Sequence, residues 1–271
     1  MPPVMERRKL GKSGLDVPAV GMGTWKTFDV RSPADVAARR EVVDAALEAG
    51  SDLFDSSPMY GAAEEVLARA LEGRRERALV ATKVWTESDA EARRQVGNAL
   101  SWYGGRVDVY QVHNLVAWER RLRELERLRD EGKVRAVGAT HYAHSAFPRL
   151  MDVMRSGRLD MVQVPYSLED TAVTREVLPL AERLGLGVLV MEPLGSGSLV
   201  RPPRGFDPER YAPYGVESWP QVALKWILSD PRVSCVIPAT SNPAHARENA
   251  AAGEPPWLDE AERERLARLL A

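Results

Sequence analysis

Residues 107–139 read VDVYQVHNLVAWERRLRELERLRDEGKVRAVGA, in which a mixed polar segment separates two short apolar runs. The runs VDVYQVH and VRAVGA have strand character. Between them, Leu122, Leu125 and Leu128 recur every three residues, which places one apolar stripe on a helix. Gly132 follows that helix, where a left-handed C-terminal cap favours glycine. The stretch therefore predicts a strand, a helix and a second strand parallel to the first.

The same alternation extends over most of the chain. Helical periodicity appears in Val36–Ala49 and Glu64–Leu71, and Ser32 with Pro33 predicts the start of the first of these helices. Val20–Met22 is the first strand candidate. The other apolar runs of strand character are SDLFD (51–55), RALVATKV (77–84), DMVQV (160–164), LGVLVM (186–191) and VSCVIP (233–238).

These repeats predict a (β/α)8 TIM barrel that forms a single domain over residues 1–271, because about eight such units in this length close into a barrel. Residues Arg7–Pro18 predict a short N-terminal β-hairpin, since RRKL and LDVPA flank a GKSG turn. Leu258–Leu270 predicts an amphipathic C-terminal helix on the outside of the barrel. An open doubly wound sheet is the alternative, and it is disfavoured because GMGTW (21–25) holds only a fragment of GxGxxG.

Composition excludes several classes of function. The formal net charge is −2, so no basic field would attract nucleic acid, and nothing indicates a membrane partner. No apolar stretch approaches the ~18 residues of a membrane span, and MPPVMERRKLGKSG at the N-terminus lacks the apolar core of a signal peptide. The single cysteine, Cys235, is interpreted as a buried structural thiol. We expect a cytoplasmic protein whose oligomeric state is open.

Ionisable residues stand at the ends of three successive strand candidates. Asp55 ends the run DLF, Lys83 follows ALVAT, His113 follows VDVYQV, and Tyr60 comes five residues after Asp55. The carboxyl ends of barrel strands share one rim, so these four side chains are expected to converge. An ammonium lowers the pKa of a nearby phenol, a carboxylate keeps the ammonium charged, and a histidine can orient a carbonyl. The set predicts a general acid that protonates a carbonyl oxygen as hydride reaches its carbon.

The segment FDSSPMYGAAEEVLARAL (54–71) closely resembles the signature of the aldo-keto reductase family. The resemblance extends from about Arg8 to Ala251. It includes GMGTW (21–25), ATKVW (81–85), VDVYQVHN (107–114) and IPATSNPAHAREN (237–249). It implies that Tyr60 is the general acid, that Lys83 paired with Asp55 lowers the pKa of Tyr60, and that His113 orients the substrate carbonyl.

The resemblance also implies a nicotinamide cofactor, with NADP(H) preferred and NAD(H) use expected beside it. Met191 stands where relatives commonly stack a tyrosine on the nicotinamide, and Ala239 and His245 stand where a lysine and an arginine commonly occur. The absence of these two cations weakens a strict NADP preference. The implied cofactor contacts are Gly23, Thr24, Trp25, Thr140, His141, Gln163, Met191, Pro193, Leu194, Gly195, Ser196, Gly197, Ser198, Thr240, Asn242, His245, Glu248 and Asn249.

A small carbonyl compound is the expected substrate. Trp25, Trp85, Leu115 and Trp118 are expected to line its pocket, which would suit an aldehyde or ketone with an apolar or sugar-like body. No metal site is expected, because no cluster of Cys, Asp or Glu accompanies the close pair His141 and His144. Three alternatives stay open: a nucleotide-binding regulatory subunit with little turnover, a sugar dehydrogenase working in the oxidative direction, and an unrelated phosphate-handling barrel.

Overall fold

A computed structural model of the chain describes residues 5–270, which contain a two-stranded hairpin followed by an eight-stranded parallel sheet. The hairpin strands are β1 (Arg7–Lys9) and β2 (Asp16–Pro18). The parallel strands are β3 (Met22–Gly23), β4 (Leu53–Asp55), β5 (Leu79–Val84), β6 (Val107–His113), β7 (Val134–Thr140), β8 (Met161–Pro165), β9 (Gly187–Met191) and β10 (Cys235–Val236).

Helices alternate with the parallel strands. They are α1 (Pro33–Glu48), α2 (Ala63–Ala70), α3 (Asp89–Trp102), α4 (Trp118–Asp130), α5 (Phe147–Arg155), α6 (Val177–Leu184), α7 (Trp219–Leu228), α8 (Pro243–Ala251) and α9 (Glu260–Leu269). No helix within residues 5–270 is long and apolar enough to cross a membrane.

The parallel strands pair with their neighbours in chain order from β3 to β10. Bridges from Val20 to Val236 and from Gly23 to Ala239 join the first strand to the last and close the sheet into a barrel. The (β/α)8 prediction is confirmed, and the open-sheet alternative is wrong. The expectation of a single domain stays a prediction, and its outermost residues 1–4 and 271 lie outside the described part of the chain.

Local sequence explains how the helices begin and end. Ser32 caps α1 by accepting the N–H of Asp35, with a proline at the first position, as expected. Gly185 ends α6 at φ 66°, a left-handed conformation that costs glycine little. The C-terminal helix α9 packs on α7, where Trp226 Nε1 donates to the carbonyl of Arg263 at 2.9 Å and Leu266 is fully buried.

Apolar side chains form two layers of core. The larger layer lies between the strands and the helices, and the smaller one fills the barrel interior. Leu10 and Leu15 of the hairpin belong to the interior layer, and Leu10 contacts Gly187 at the start of β9, so the hairpin closes the N-terminal end of the barrel. Cys235 lies in the same layer, and burial raises the pKa of its thiol, so this thiol is structural as expected.

The glycine- and proline-rich stretch 194–214 is partly ordered into turns. Short 3₁₀ segments span Gly195–Val200 and Pro208–Tyr214. Within the first, Ser196 and Gly197 both have positive φ angles of 54° and 109°. Successive N–H groups in such a turn can face a bound anion.

Candidate active site

The four ionisable residues meet at the carboxyl ends of β4, β5 and β6. Lys83 Nζ donates to Asp55 Oδ2 at 2.5 Å and to the carbonyl oxygen of Ser56 at 2.9 Å. The same nitrogen lies 5.3 Å from the centre of the Tyr60 ring. The rings of Tyr60 and His113 meet edge to face, with centroids 5.9 Å apart. The expected convergence at one rim is therefore what the structure shows.

Two glutamines and a threonine hold Asp55 in place. Gln111 Nε2 and Gln163 Nε2 donate to Asp55 Oδ1 at 3.1 and 2.9 Å. The N–H and hydroxyl of Thr24 both donate to the backbone carbonyl of Asp55. The carboxylate thus has a partner on each oxygen, so its pair with Lys83 has a fixed geometry. Gln163 was expected only as a cofactor contact, and here it also orients this carboxylate.

Burial and charge move the pKa values of Lys83 and Tyr60. Burial by itself would lower the pKa of Lys83, but the charge and hydrogen bond of Asp55 together with Tyr60 and Glu64 outweigh it, and the pKa lies above its usual value. The pKa of Tyr60 is raised, first by burial, and the charges of Asp55 and Glu192 add to the rise. Lys83 does oppose this rise, as expected, but its ammonium is paired with Asp55 and does not reverse it.

His113 is held in its neutral form. Burial lowers its pKa to about 3, and the ammonium of Lys83 contributes to this shift. Its Nδ1 lies 2.8 Å from Ser57 Oγ, which already accepts the N–H of Met59. The hydroxyl proton of Ser57 is then best placed to donate to Nδ1. This favours the tautomer that carries its proton on Nε2, ready to donate to an oxygen in the cavity.

A second buried carboxyl lies on the opposite face of β5. Glu64 of α2 accepts the hydroxyl of Thr82 at 2.5 Å and is 4% exposed. Burial raises the pKa of Glu64 to about 7. The alternation of side chains along the strand explains its place, because Thr82 points outwards where Lys83 points into the barrel.

A cavity of about 560 Å³ opens at the same rim. Its size lies in the range typical of small-molecule sites. The expected site residues that line it are Gly23, Thr24, Trp25, Asp55, Tyr60, His113, Gln163, Met191, Pro193, Leu194, Ser196 and Gly197. Three of the four catalytic candidates and most of the candidates for the nicotinamide end of a cofactor therefore share one wall, and Lys83 lies fully buried behind it.

Three expected substrate-pocket residues do not line this cavity. Trp85 follows the last residue of β5, so the alternation that would have aimed it at the interior no longer holds, and its side chain is exposed. Leu115 is buried in the outer core layer, and Trp118 packs against that layer at the start of α4. Of the four expected pocket residues, Trp25 is the one that lines this cavity.

Other expected cofactor contacts also lie off the cavity wall. Gly195 and Ser198 do not line the cavity, and the Ser198 hydroxyl lies within hydrogen-bonding distance of two acceptors, Glu169 and the carbonyl of Gly195. Thr140 is buried, and His141 stacks on Tyr142 with centroids 5.4 Å apart. Near the start of α8, Asn242 caps the helix by accepting the N–H of Ala244. The remaining residues of this region outside the cavity wall are Thr240, His245, Glu248 and Asn249.

Several cavity-lining residues were missed from the sequence. Met59, Asn114 and Tyr142 come from the loops that follow β4, β6 and β7, and Glu192 follows β9. Their positions depend on loop conformation, which no strand or helix period reports. The others are Lys26, Thr27, Val200, Ile237, Pro238 and Ala239.

A tyrosine, a lysine, an aspartate and a histidine that meet at one barrel rim form the arrangement expected above for an oxidoreductase that reduces carbonyl groups. Residues 19–271 match the model of the Aldo/keto reductase family, and the chain belongs to that family. It is 27% identical to the NADH-specific methylglyoxal reductase of Escherichia coli (strain K12), over 92% of this chain and 93% of that protein. It is 28% identical to the methylglyoxal reductase YeaE of the same organism, over 91% and 89%. A solved aldo-keto reductase from Klebsiella pneumoniae in complex with NADPH superposes with a TM-score of 0.82 at 25% identity, covering 99% of this chain and 95% of that one.

Proposed function

We propose that this chain reduces aldehydes or ketones to alcohols with a nicotinamide cofactor, using Tyr60 as the general acid. The observation that carries the proposal is the buried contact of Lys83 with Asp55 beside the Tyr60 ring, on the wall of the one large cavity found among residues 5–270. The phenol of Tyr60 is protonated at neutral pH, as a proton donor requires, because its pKa is not lowered from its usual value of about 10 but raised.

His113 would hold the substrate oxygen beside the phenol. Its neutral ring, with Nδ1 engaged by Ser57, leaves Nε2 as the donor to that oxygen. Lys83 and Asp55 would fix the electrostatic environment of Tyr60 without touching the substrate. The proton would pass from the Tyr60 hydroxyl to the carbonyl oxygen, and proximity of the two donors would orient that oxygen for transfer.

The cavity suits a nicotinamide cofactor at one end. Gln163 keeps its side-chain oxygen free for a carboxamide, because only its Nε2 is used to bind Asp55. Met191 offers an apolar surface on the same wall, and the turn at Ser196 and Gly197 offers N–H groups to a phosphate. The reduced cofactor, when bound, would supply the hydride.

NADP(H) is the proposed preferred cofactor, with NAD(H) also used. The Klebsiella pneumoniae structure holds NADPH, whereas one Escherichia coli relative is NADH-specific by name, so the family accommodates both. Arg247 of α8 pairs with Glu48 at 3.0 Å, and both side chains are more than half exposed. Such a surface pair is worth at most about 1 kcal/mol, so Arg247 is available to a phosphate.

The ratio of kcat/KM for NADPH to that for NADH tests the cofactor preference. Arg247→Met should lower the value for NADPH and leave that for NADH unchanged. Glu48→Gln is the matched control, because it frees the same arginine and should not lower the value for NADPH. A large NADH preference in the unaltered protein would overturn the NADP(H) proposal.

Replacement of Tyr60 tests the reaction itself. Tyr60→Phe should abolish reduction of a reactive aldehyde such as methylglyoxal while nearly preserving cofactor affinity, because only the proton donor is lost. Tyr214→Phe, which removes a hydroxyl away from the cavity, should keep full activity. A Tyr60→Phe variant with near-normal kcat would overturn the assignment of the acid. A cytoplasmic location stays a prediction beside this proposal.

The same measurements separate the alternatives. A regulatory nucleotide-binding subunit would bind cofactor but transfer hydride to methylglyoxal slowly even in a single turnover. A sugar dehydrogenase would show its higher kcat/KM with a polyol and oxidised cofactor. The phosphate-handling barrel leaves the four-residue rim without a role.

A further inference from the structure

We propose that Glu192 makes this site select uncharged carbonyl substrates and reject those that carry a carboxylate close to the reacting carbonyl. The proposal rests on the proposed carbonyl reduction at Tyr60. Glu192 follows the last residue of β9 and lines the cavity that holds Tyr60 and His113. The side chain is half-buried, so its charge is only partly screened by water.

Within the described part of the chain, the carboxylate of Glu192 has no partner of opposite charge. Among residues 5–270, no lysine, arginine or histidine nitrogen lies within 4.0 Å of it, and no side-chain hydrogen bond satisfies it. Unpaired carboxylates are common on exposed surfaces, but an unpaired carboxylate on a cavity wall interacts electrostatically with any ligand bound in the cavity. Its charge reaches Tyr60, since it contributes to the raised pKa of that phenol.

The backbone fixes where this carboxylate stands. Glu192 has a φ of 53°, a left-handed conformation that a non-glycine residue rarely adopts. Its carbonyl oxygen accepts the N–H of Gly195 at 2.9 Å, which closes a turn directly after the strand. Strained residues of this kind persist where the surrounding structure holds them, and they concentrate at functional sites.

The other ionisable groups on the wall do not cancel the charge of Glu192 near Tyr60. Asp55 is neutralised by Lys83, and His113 is neutral because burial lowers its pKa to about 3. The remaining cation on the wall, Lys26, lies with its ammonium 4.2 Å from the centre of the Trp25 ring and is exposed, so water screens its charge more than that of half-buried Glu192. A substrate whose oxygen reaches Tyr60 therefore meets a net negative group at Glu192.

A pair of nearly isosteric aldehydes measures this selection. The probes are 3-carboxybenzaldehyde, which is an anion at neutral pH, and its uncharged methyl ester. The unaltered protein should show a kcat/KM ratio, ester over acid, of about tenfold or more, because like charges in a half-buried site repel strongly. Glu192→Gln should reduce this ratio at least about fivefold, mainly by raising the value for the acid.

Glu87→Gln is the matched control. Glu87 is exposed in the loop after β5 at the same end of the barrel and does not line the cavity, so its loss should leave the ratio unchanged. An unchanged ratio in Glu192→Gln, with both aldehydes still reduced, would overturn the proposal and leave the carbonyl reduction standing. A lower cofactor KM in Glu192→Gln with no change in the ratio would show that the carboxylate faces the cofactor, which also overturns it. Failure of the unaltered protein to reduce either aldehyde would count against the proposed function itself.

Discussion

Replacement of Asp55 by asparagine should destabilise the protein strongly, because it leaves a buried ammonium without its carboxylate. Lys83 is fully buried, and its Nζ lies 2.5 Å from Asp55 Oδ2. After the substitution, the carbonyl oxygen of Ser56 at 2.9 Å and the new amide oxygen can accept from this nitrogen, but neither carries the charge that balances the ammonium. Removal of one partner of a buried ion pair costs about 3–5 kcal/mol of the free energy of unfolding.

Lys83→Met provides the comparison, and it should cost less. The carboxylate of Asp55 would keep the amide donors of Gln111 and Gln163 at 3.1 and 2.9 Å. Because these two donors remain on the carboxylate, we expect a loss of about 3 kcal/mol, the lower end of the cost of breaking a buried ion pair. The double variant removes both charges together and should be more stable than Asp55→Asn alone.

The deficit of Asp55→Asn should also depend on pH. Without the carboxylate, burial would lower the pKa of Lys83 in the folded protein below the value of about 10.4 in the unfolded chain. A base with a lowered folded pKa destabilises the fold while it is protonated in the unfolded chain, so stability recovers as pH rises toward that value. In the unaltered protein the pKa of Lys83 is raised, so its favourable contribution falls over the alkaline range instead. The difference between the two proteins should therefore shrink from about pH 7 to about pH 10.

Urea unfolding followed by circular dichroism at both pH values measures these differences. Three results would refute the reasoning. One is a deficit for Asp55→Asn below about 1 kcal/mol, the second is a deficit equal to that of Lys83→Met, and the third is a deficit that does not change with pH.

Three further outcomes are expected. Burial lowers the pKa of His113 to about 3, so this residue should cause no inflection in the pH profile of kcat/KM between about pH 5 and pH 8. An inflection in that range that is lost in His113→Gln would contradict this expectation. Burial raises the pKa of Glu64 to about 7, above its value in the unfolded chain, so stability that is intact in acid falls by about 3 kcal/mol as pH rises from about 4.5 to about 7. Glu64→Gln should thus gain stability relative to the unaltered protein as pH rises from about 5 to about 9, and a constant urea-midpoint difference would contradict this. Leu10→Ala should lower the free energy of unfolding by about 2–5 kcal/mol without changing kcat, because the hairpin closes the end of the barrel opposite the site.

The fold was predictable because each strand of a parallel barrel is buried on both faces and reads as a continuous apolar run. For β6 the run VDVYQVH matches the observed strand Val107–His113 at both ends. The first and last barrel strands are only two residues long, Met22–Gly23 and Cys235–Val236. Their apolar runs are longer than their hydrogen-bonded ladders, so hydropathy alone overestimates the length of these two strands.

The convergence of Asp55, Lys83 and His113 was predictable from topology, because successive parallel strands place their carboxyl ends side by side. The position of Gln111 was also predictable, since it precedes His113 by two residues and so shares its face of the strand. The contact of Ser57 with His113 was not predictable, because it depends on the turn after β4. Trp85 shows the limit of the alternation rule, which ends where the strand ends.

The sequence did not predict that the pKa of Tyr60 is raised. This shift affects how the rates of reduction and of alcohol oxidation depend on pH. A neighbouring lysine suggested a lowered value, but burial acts first and raises it, and Asp55 and Glu192 oppose Lys83. Reduction needs the phenol to give up a proton, whereas oxidation of an alcohol needs the phenolate to take one. The phenol is already protonated at neutral pH at its usual pKa, and the raised pKa moves formation of the phenolate further into the alkaline range. The kcat for alcohol oxidation should therefore rise with pH through the alkaline range while the kcat for reduction does not, and Glu192→Gln should move that rise to lower pH. An oxidation rate that is flat from neutral to alkaline pH, with hydride transfer shown to limit the rate, would mean that Tyr60 is not the proton acceptor.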